Sequence, residues 1–237
     1  MKKTFIILAA LIVLSGSIFA QGFDLSIGPK VGYQTAKLSY HKEDIKSGFA
    51  EHFTIGAFAR VEIGNFYVQP EILWFKSSNV FDLETNVTHD TIIGDITIPS
   101  GANLDFTLKA MNIQVPILVG YKFNVIDGIL AIRPQVGPTL NFVIPQQTLV
   151  NQSIGSADPT EIDKETFDTK SIAFGLQGGL GVDVFNFTLD INYNFGISKV
   201  FGANIINNTS WGQYIDTNNI SDAHNNMFMV TLGYKFL

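Results

Sequence analysis

Eight segments in which apolar and polar residues alternate, connections between them that are short and long in turn, and an export signal ahead of the first predict an all-β fold: an eight-stranded antiparallel up-and-down transmembrane β-barrel. The clearest segment is the last. Phe228, Val230, Leu232, Tyr234 and Phe236 share one face, while Met229, Thr231, Gly233 and Lys235 share the other. About ten residues with one unbroken apolar face, closing on an aromatic ring, is the pattern a strand needs to cross an outer membrane.

The chain opens MKKTFIILAALIVLSGSIFAQ, with Lys2 and Lys3 before an apolar run from Phe5 to Leu14 and small residues before an expected cut after Ala20. Residues 1–20 are read as a signal peptide and residues 21–237 as a single outer-membrane β-barrel domain. The apolar run is shorter than the roughly 20 residues of a spanning helix. Losing Lys2 and Lys3 moves the formal charge from −6 to −8. Such an acidic chain, its basic residues scattered singly, repels phosphate backbones, so no nucleic-acid partner is expected. The absence of cysteine excludes disulfides, thiolate chemistry and a lipidated N-terminal cysteine. Charged residues make up only 15% and mean hydropathy is +0.22, yet the apolar residues are dispersed in alternation, as a strand-built membrane wall requires.

In chain order the strands are expected at 23–36, 49–63, 66–77, 106–123, 129–143, 170–184, 187–199 and 225–236. The links after strands two, four and six are short: Gly64-Asn65, Asn124 to Gly128, and Phe185-Asn186. The first two carry residues suited to positive φ. The other links are longer and polar. In an up-and-down barrel this alternation sends the short turns and both termini to the periplasm and the long loops outside. An even strand number lets the first strand pair with the last, leaving no edge in hydrocarbon.

The faces agree. Strand two sets Phe53, Ile55, Ala57, Ala59, Val61 and Ile63 against His52, Thr54, Gly56, Arg60 and Glu62. Strand five sets Leu130, Ile132, Pro134 and Val136 against Ala131, Arg133, Gln135 and Gly137, and strand seven sets Phe187, Leu189, Ile191 and Tyr193 against Thr188, Asp190, Asn192 and Asn194. A soluble ligand-carrying barrel alternates in the same way with inside and outside exchanged. Aromatic placement decides for the membrane, because Phe23, Phe66, Tyr121, Phe123, Phe187, Tyr234 and Phe236 all fall on apolar faces at the short-turn end, as an interfacial girdle does.

Projected inward, Lys30, Arg60, Glu62, Glu71, Lys122, Arg133, Asp183, Asp190 and Lys235 share a lumen barely wide enough for side chains. Buried there unpaired, each charge would cost several kcal/mol, about, so a structural network of ion pairs is expected rather than an ion pathway. Gly175 to Gly181 (GLQGGLG) sits inside an alternating strand with no helix or Lys-Ser pair after it. Its inward glycines, Gly175, Gly179 and Gly181, are read as room for a bulky neighbour such as an arginine, not as a phosphate loop.

His41, His52, His89 and His224 lack metal-ligand spacing and are expected to be solvated. His224 beside Ser221 and Asp222 is adjacency rather than a triad. Asp158, Glu161, Asp163, Glu165 and Asp168, against Lys164 alone, lack the glycine and ligand order of a calcium loop and read as a solvated acidic loop. No catalytic, cofactor-binding or metal-binding residue is assigned, and no cofactor is expected.

Tyr67 to Phe75 (YVQPEILWF), Met111 to Phe123 (MNIQVPILVGYKF), Leu130 to Leu140 (LAIRPQVGPTL) and the ending Leu232 to Phe236 (LGYKF) resemble the small outer-membrane β-barrel family common in Bacteroidetes, the PorT-like group. The resemblance covers nearly the whole chain after residue 20. One departure is Leu237 after the terminal aromatic. Asp90-Thr91-Ile92 resembles the short O-glycosylation motif of Bacteroidetes. The resemblance implies an address and an architecture more than an activity.

The expectation is therefore a non-enzymatic barrel surrounded by outer-membrane lipid, taking an envelope or extracellular protein partner through segments 78–105, 145–168 and 201–223. Those segments include Trp211 and Tyr214. An accessory role in a secretion machine, suggested by the resemblance alone, is the alternative, and a lipid-modifying enzyme is the third reading.

Overall fold

The computed structural model describes residues 23–39, 50–83, 91–93, 96–98, 104–152, 160–162, 167–199, 201–206 and 224–236. Its wall has eight strands: β1 (Phe23–Ser39), β2 (Ala50–Ile63), β3 (Phe66–Leu83), β4 (Leu104–Tyr121), β5 (Leu130–Gln152), β6 (Ile172–Val184), β7 (Phe187–Gly196) and β8 (His224–Tyr234). Each pairs antiparallel with its chain neighbours, and β8 returns to β1, from Lys30 opposite Gly233 to Ser39 opposite His224. The sheet thus closes, leaving no edge for hydrocarbon to meet.

Closure fixes the geometry of the lumen. Following paired residues from Asp24 through Glu62, Tyr67, Gly120, Gln135, Gly179, Asn192 and Met229 returns to β1 at Gln34, ten residues further on. That stagger across eight strands sets a tilt of about 40°. At that tilt the outward run on β7, Phe187 to Ile197, rises about 25 Å, the height of the apolar band an outer membrane requires.

Side-chain parity then separates two environments. Outward positions such as Phe66, Phe174, Leu180, Phe187 and Ile191 are exposed, while the inward Lys30, Gln34, Arg60, Gln69, Gln114, Arg133, Gln177 and Asp190 are buried. Among the described residues most buried side chains are polar, with Leu73, Phe75, Leu118 and Met227 among the apolar ones, and the large apolar surface faces outward. Aromatic rings gather at the turn end, where Phe66 meets Tyr121 at 4.9 Å between centroids and Tyr121 meets Phe123 at 4.7 Å. A second group joins Phe187, Tyr234 and Phe236 at 5.2 and 5.3 Å.

The turns differ in detail from expectation. Gly64 takes φ +62° between β2 and β3. After β4, Phe123–Ile126 continues extended along β5, so the link expected over Asn124 to Gly128 tightens to residues 127–129, with Gly128 at φ +71°. The third turn places Phe185 at φ +51°, a conformation that costs a non-glycine residue about 1 kcal/mol. The Phe185 amide donates to Ile129 O at 2.9 Å, tying this turn to its neighbour.

At the other end the strands outrun their expected limits. β1 reaches Ser39, the β3–β4 ladder continues to Leu83 opposite Leu104, and β5 reaches Gln152. Segments 78–105 and 145–168, expected as loops, therefore begin as wall. Thr91–Ile93 pairs with Ile96–Ile98, Thr160–Ile162 joins β5, and Phe167–Thr169 pairs with Phe201–Ile206. Beyond the hydrocarbon both faces of a hairpin can be wetted, so the ladder continues after the apolar alternation has stopped. β7 instead ends at Gly196 rather than residue 199, where the Ile197 and Ser198 amides turn to Phe174 O. The expected signal peptide lies outside the described residues, as do His41, His89, Asp90, Trp211, Tyr214, Ser221 and Asp222.

Candidate functional site in the barrel lumen

Inward parity brings the nine charged residues named from the sequence into one lumen, and the closed register joins them into a continuous chain. Lys30 Nζ bonds Glu71 Oε1 at 2.5 Å and Asp190 Oδ2 at 2.6 Å. Arg133 spans the next gap, with Nη2 on Asp190 Oδ1 at 2.8 Å and Nε on Asp183 Oδ1 at 2.9 Å. Arg60 Nη1 then reaches Asp183 Oδ2 at 2.7 Å and Glu62 Oε1 at 3.5 Å. Lys122 Nζ closes on Glu62 Oε2 at 2.7 Å, and Lys235 Nζ approaches Asp183 Oδ2 at 3.4 Å. Lys122 and Lys235, at the turn end, are the most exposed members.

Neutral inward side chains complete the layer. Arg60 Nε donates to Gln69 Oε1 and Gln69 Nε2 to Glu71 Oε1, both at 2.5 Å. Arg133 Nη1 donates to Tyr67 Oη at 3.2 Å, and the tyrosine hydroxyl donates to Gln135 Oε1 at 3.0 Å. Thr188 Oγ1 accepts from both arginines. Arg60 and Arg133 also lie over the Tyr67 ring, 5.3 and 5.4 Å from its centre, and Lys30 lies 5.3 Å from that of Phe58. Each desolvated cation thus has carboxylate, hydrogen-bonding and ring partners, which is the condition under which buried charge is tolerable.

Room for the guanidinium comes from the opposing strand. A Cβ at Gly181 would lie 2.4 Å from both Arg133 Nη2 and Asp190 Oδ1. The GLQGGLG run is part of β6, so the space it leaves is filled by arginine.

Farther from the turns the lumen is neutral. Thr139 Oγ1 donates to Asn194 Oδ1 at 2.8 Å, Asn141 Nδ2 to Asn112 Oδ1 at 3.2 Å and Asn112 Nδ2 to Ser77 Oγ at 2.8 Å. Phe75 and Met227 form a buried apolar pair at this level. Two histidines depart from the solvated state expected of them. His52 is half-buried and its Nε2 accepts the Ser78 amide at 3.0 Å, while His224 is half-buried at the start of β8. The extended wall is the reason, since it carries strand structure up to both rings.

Tyr67, Gln69, Gln135 and Thr188 were missed among the site residues, although their parity marks them as inward. Asn65 and Asn186 were missed as anchors. Each Asn O accepts a backbone amide from the neighbouring strand end, Lys122 and Lys235 respectively, both at 2.7 Å. Each side-chain amide donates back to the same lysine's carbonyl, at 2.9 and 3.2 Å. The two-residue link with an Asn in second place is the sequence signal for both.

Residues 19–202 match a family model described as outer membrane protein beta-barrel domain. No curated protein matches the chain. Among solved structures, Neisserial surface protein A is similar over 90% of this chain and 99% of its own, at 16% identity and a TM-score of 0.41. Ail, the attachment invasion locus protein of Yersinia pestis, solved with the heparin analogue sucrose octasulfate, is similar over 90% and 99%, at 12% identity and a TM-score of 0.39. The family match spans more than three quarters of the chain, and on that match, with a closed eight-stranded wall, this protein belongs to the outer membrane protein beta-barrel domain family and resides in the outer membrane.

Proposed function

We propose that this barrel is a non-enzymatic surface protein whose recognition chemistry lies in the long connections, with the short turns and both termini in the periplasm. The observation that carries the reading is the mutual pairing of the lumen charges: all nine are bonded to one another, so none is aimed at a substrate. Hydrocarbon demands regular wall, which leaves specificity to the ends of the barrel. At the turn end the links between β2 and β3 and between β6 and β7 have two residues each, Gly64-Asn65 and Phe185-Asn186. The connections at the other end hold more aromatic, amide and carboxylate groups.

The resemblance of Met111 to Phe123 and Leu130 to Leu140 to the PorT-like group supports a second reading, an accessory part of a secretion machine that works through the periplasmic turns. One experiment separates the two. Segments 84–103, 153–166 and 207–223 are replaced by tight turns, and the barrel is cross-linked in its native envelope. Loss of cross-linked partners from a barrel that still folds supports surface recognition. Retention of every partner, with loss on substitution around Asn124 to Gly128, overturns it in favour of the periplasmic role.

A further inference from the structure

Away from the short turns, four uncharged stretches of the wall give way to the same residue type. The outward positions are uncharged from Phe66 to Trp74 on β3, Met111 to Tyr121 on β4, Ile172 to Val184 on β6 and Phe187 to Ile197 on β7. In that direction the next outward position on β3 and on β4 is an exposed lysine, Lys76 and Lys109, and exposed Lys170 and Lys199 lie just beyond the ends of β6 and β7. At the turn end the same rows finish on Phe66, Tyr121, Val184 and Phe187, with no charge.

Two of these lysines stand beside a built furrow. The β2–β3 ladder ends at Thr54 opposite Phe75. Above it His52 takes the Ser78 amide, and between β2 and β3 the wall carries a furrow of about 430 Å³ lined by the outward Phe53, Ile55, Trp74 and Lys76 together with the inward His52 and Phe75. Lys76 lies opposite Met111 and Lys109 opposite Ser78, so the two lysines are diagonal neighbours on the outward face, about 7–8 Å apart at the backbone. Neither is ion-paired to a described residue.

We infer that this furrow is a site for a phosphate-bearing membrane lipid, its acyl chain against Phe53, Ile55 and Trp74 and its headgroup phosphate between Lys76 and Lys109. The apolar lining faces the hydrocarbon and the cations sit where that hydrocarbon ends, so the order of chemistry along the wall is that of an anionic lipid. A zwitterionic headgroup supplies no net charge to two adjacent ammonium groups. Lys170 lies just before β6, three strands round the wall from β3. With the orientation proposed above, the lipid lies in the outer leaflet; the contact itself does not depend on that orientation.

Trp74 reports on the site directly, since the chain has only one other tryptophan, Trp211. The W211F protein, reconstituted in phosphatidylcholine vesicles, is titrated with brominated phosphatidylglycerol or brominated phosphatidylcholine, and quenching of Trp74 is read. Brominated phosphatidylglycerol should associate about five-fold more tightly or better, the effect of one to two lysines at an anionic headgroup. Adding K76Q and K109Q should bring the two lipids level while the barrel keeps its heat-dependent gel mobility. K170Q should leave the preference intact. Equal quenching in the W211F protein, a preference that survives loss of both lysines, or one abolished by K170Q would each overturn the assignment. Displacement by inorganic phosphate at matched ionic strength would overturn it too, because the ligand would then be a free anion.

Discussion

Asp190→Asn removes one of the four lumen carboxylates while keeping its shape. Asp190 Oδ2 accepts from Lys30 Nζ at 2.6 Å, Oδ1 accepts from Arg133 Nη2 at 2.8 Å, and all three side chains are 0% exposed. Asparagine presents an amide N–H₂ to one of those cations, setting donor against donor. The layer's balance, five cations to four carboxylates, becomes five to three. Lys30 keeps Glu71 and Arg133 keeps Asp183, so the cost comes from the larger excess of cation in the layer and from a donor facing a donor, about 3 kcal/mol. Arg133→Met removes a cation instead, and every carboxylate keeps a partner: Asp190 retains Lys30, while Asp183 retains Arg60 and Lys235. Its expected cost, from lost hydrogen bonds to Tyr67 and Thr188, is about 1–3 kcal/mol. Urea unfolding in lipid vesicles, with the folded fraction read from unheated gel mobility, measures both. Loss of less than about 0.5 kcal/mol in D190N, within the range of an ordinary surface change, would mean that the Asp190 charge is not needed in the layer. A larger loss in R133M than in D190N would contradict the order expected from the layer's charge balance.

Gly181→Val drives a side chain into the Arg133 guanidinium and should lower stability by about 1–3 kcal/mol in the same titration, as overpacking does. Val at Gly178, which faces outward with only Gln135 O near at 3.9 Å, should cost less. Asn65→Ala and Asn186→Ala each remove one side-chain bond to a neighbouring strand end, and each should lose about 0.5–1.5 kcal/mol. Because the hydrogen-bonded wall closes on itself, unboiled protein should migrate faster than boiled protein in detergent gels, and identical mobility would argue against closure.

Architecture was legible in the chain wherever a lipid face and a lumen face had to differ. Phe187 to Ile197 alternates without a break, and inward parity assigned Arg60, Arg133 and Asp190 to one space. Where water wets both faces that constraint lapses, so the continuation of β3 to Leu83 and of β5 to Gln152 left no alternation to read. Partner choice in the lumen was not legible either. Lys30 bonds Glu71 and Asp190, on β3 and β7, neither of which is a neighbour of β1. Those contacts cross the lumen, and they depend on the ten-residue stagger that appears only once the sheet has closed. Phe185 carried no glycine signal, because its left-handed conformation is held by the adjacent turn.

The closed wall encloses a layer of mutually paired charge that fills the lumen. Planar-bilayer recording from the purified, reconstituted protein tests it most directly, since a polar lumen this size either is packed or conducts. The wild-type barrel should show no steady conductance across a range of applied voltage. Steady, ohmic current through the wild-type protein would contradict it, because ions would then be passing where Lys30, Arg60, Arg133, Asp183 and Asp190 are bonded to one another.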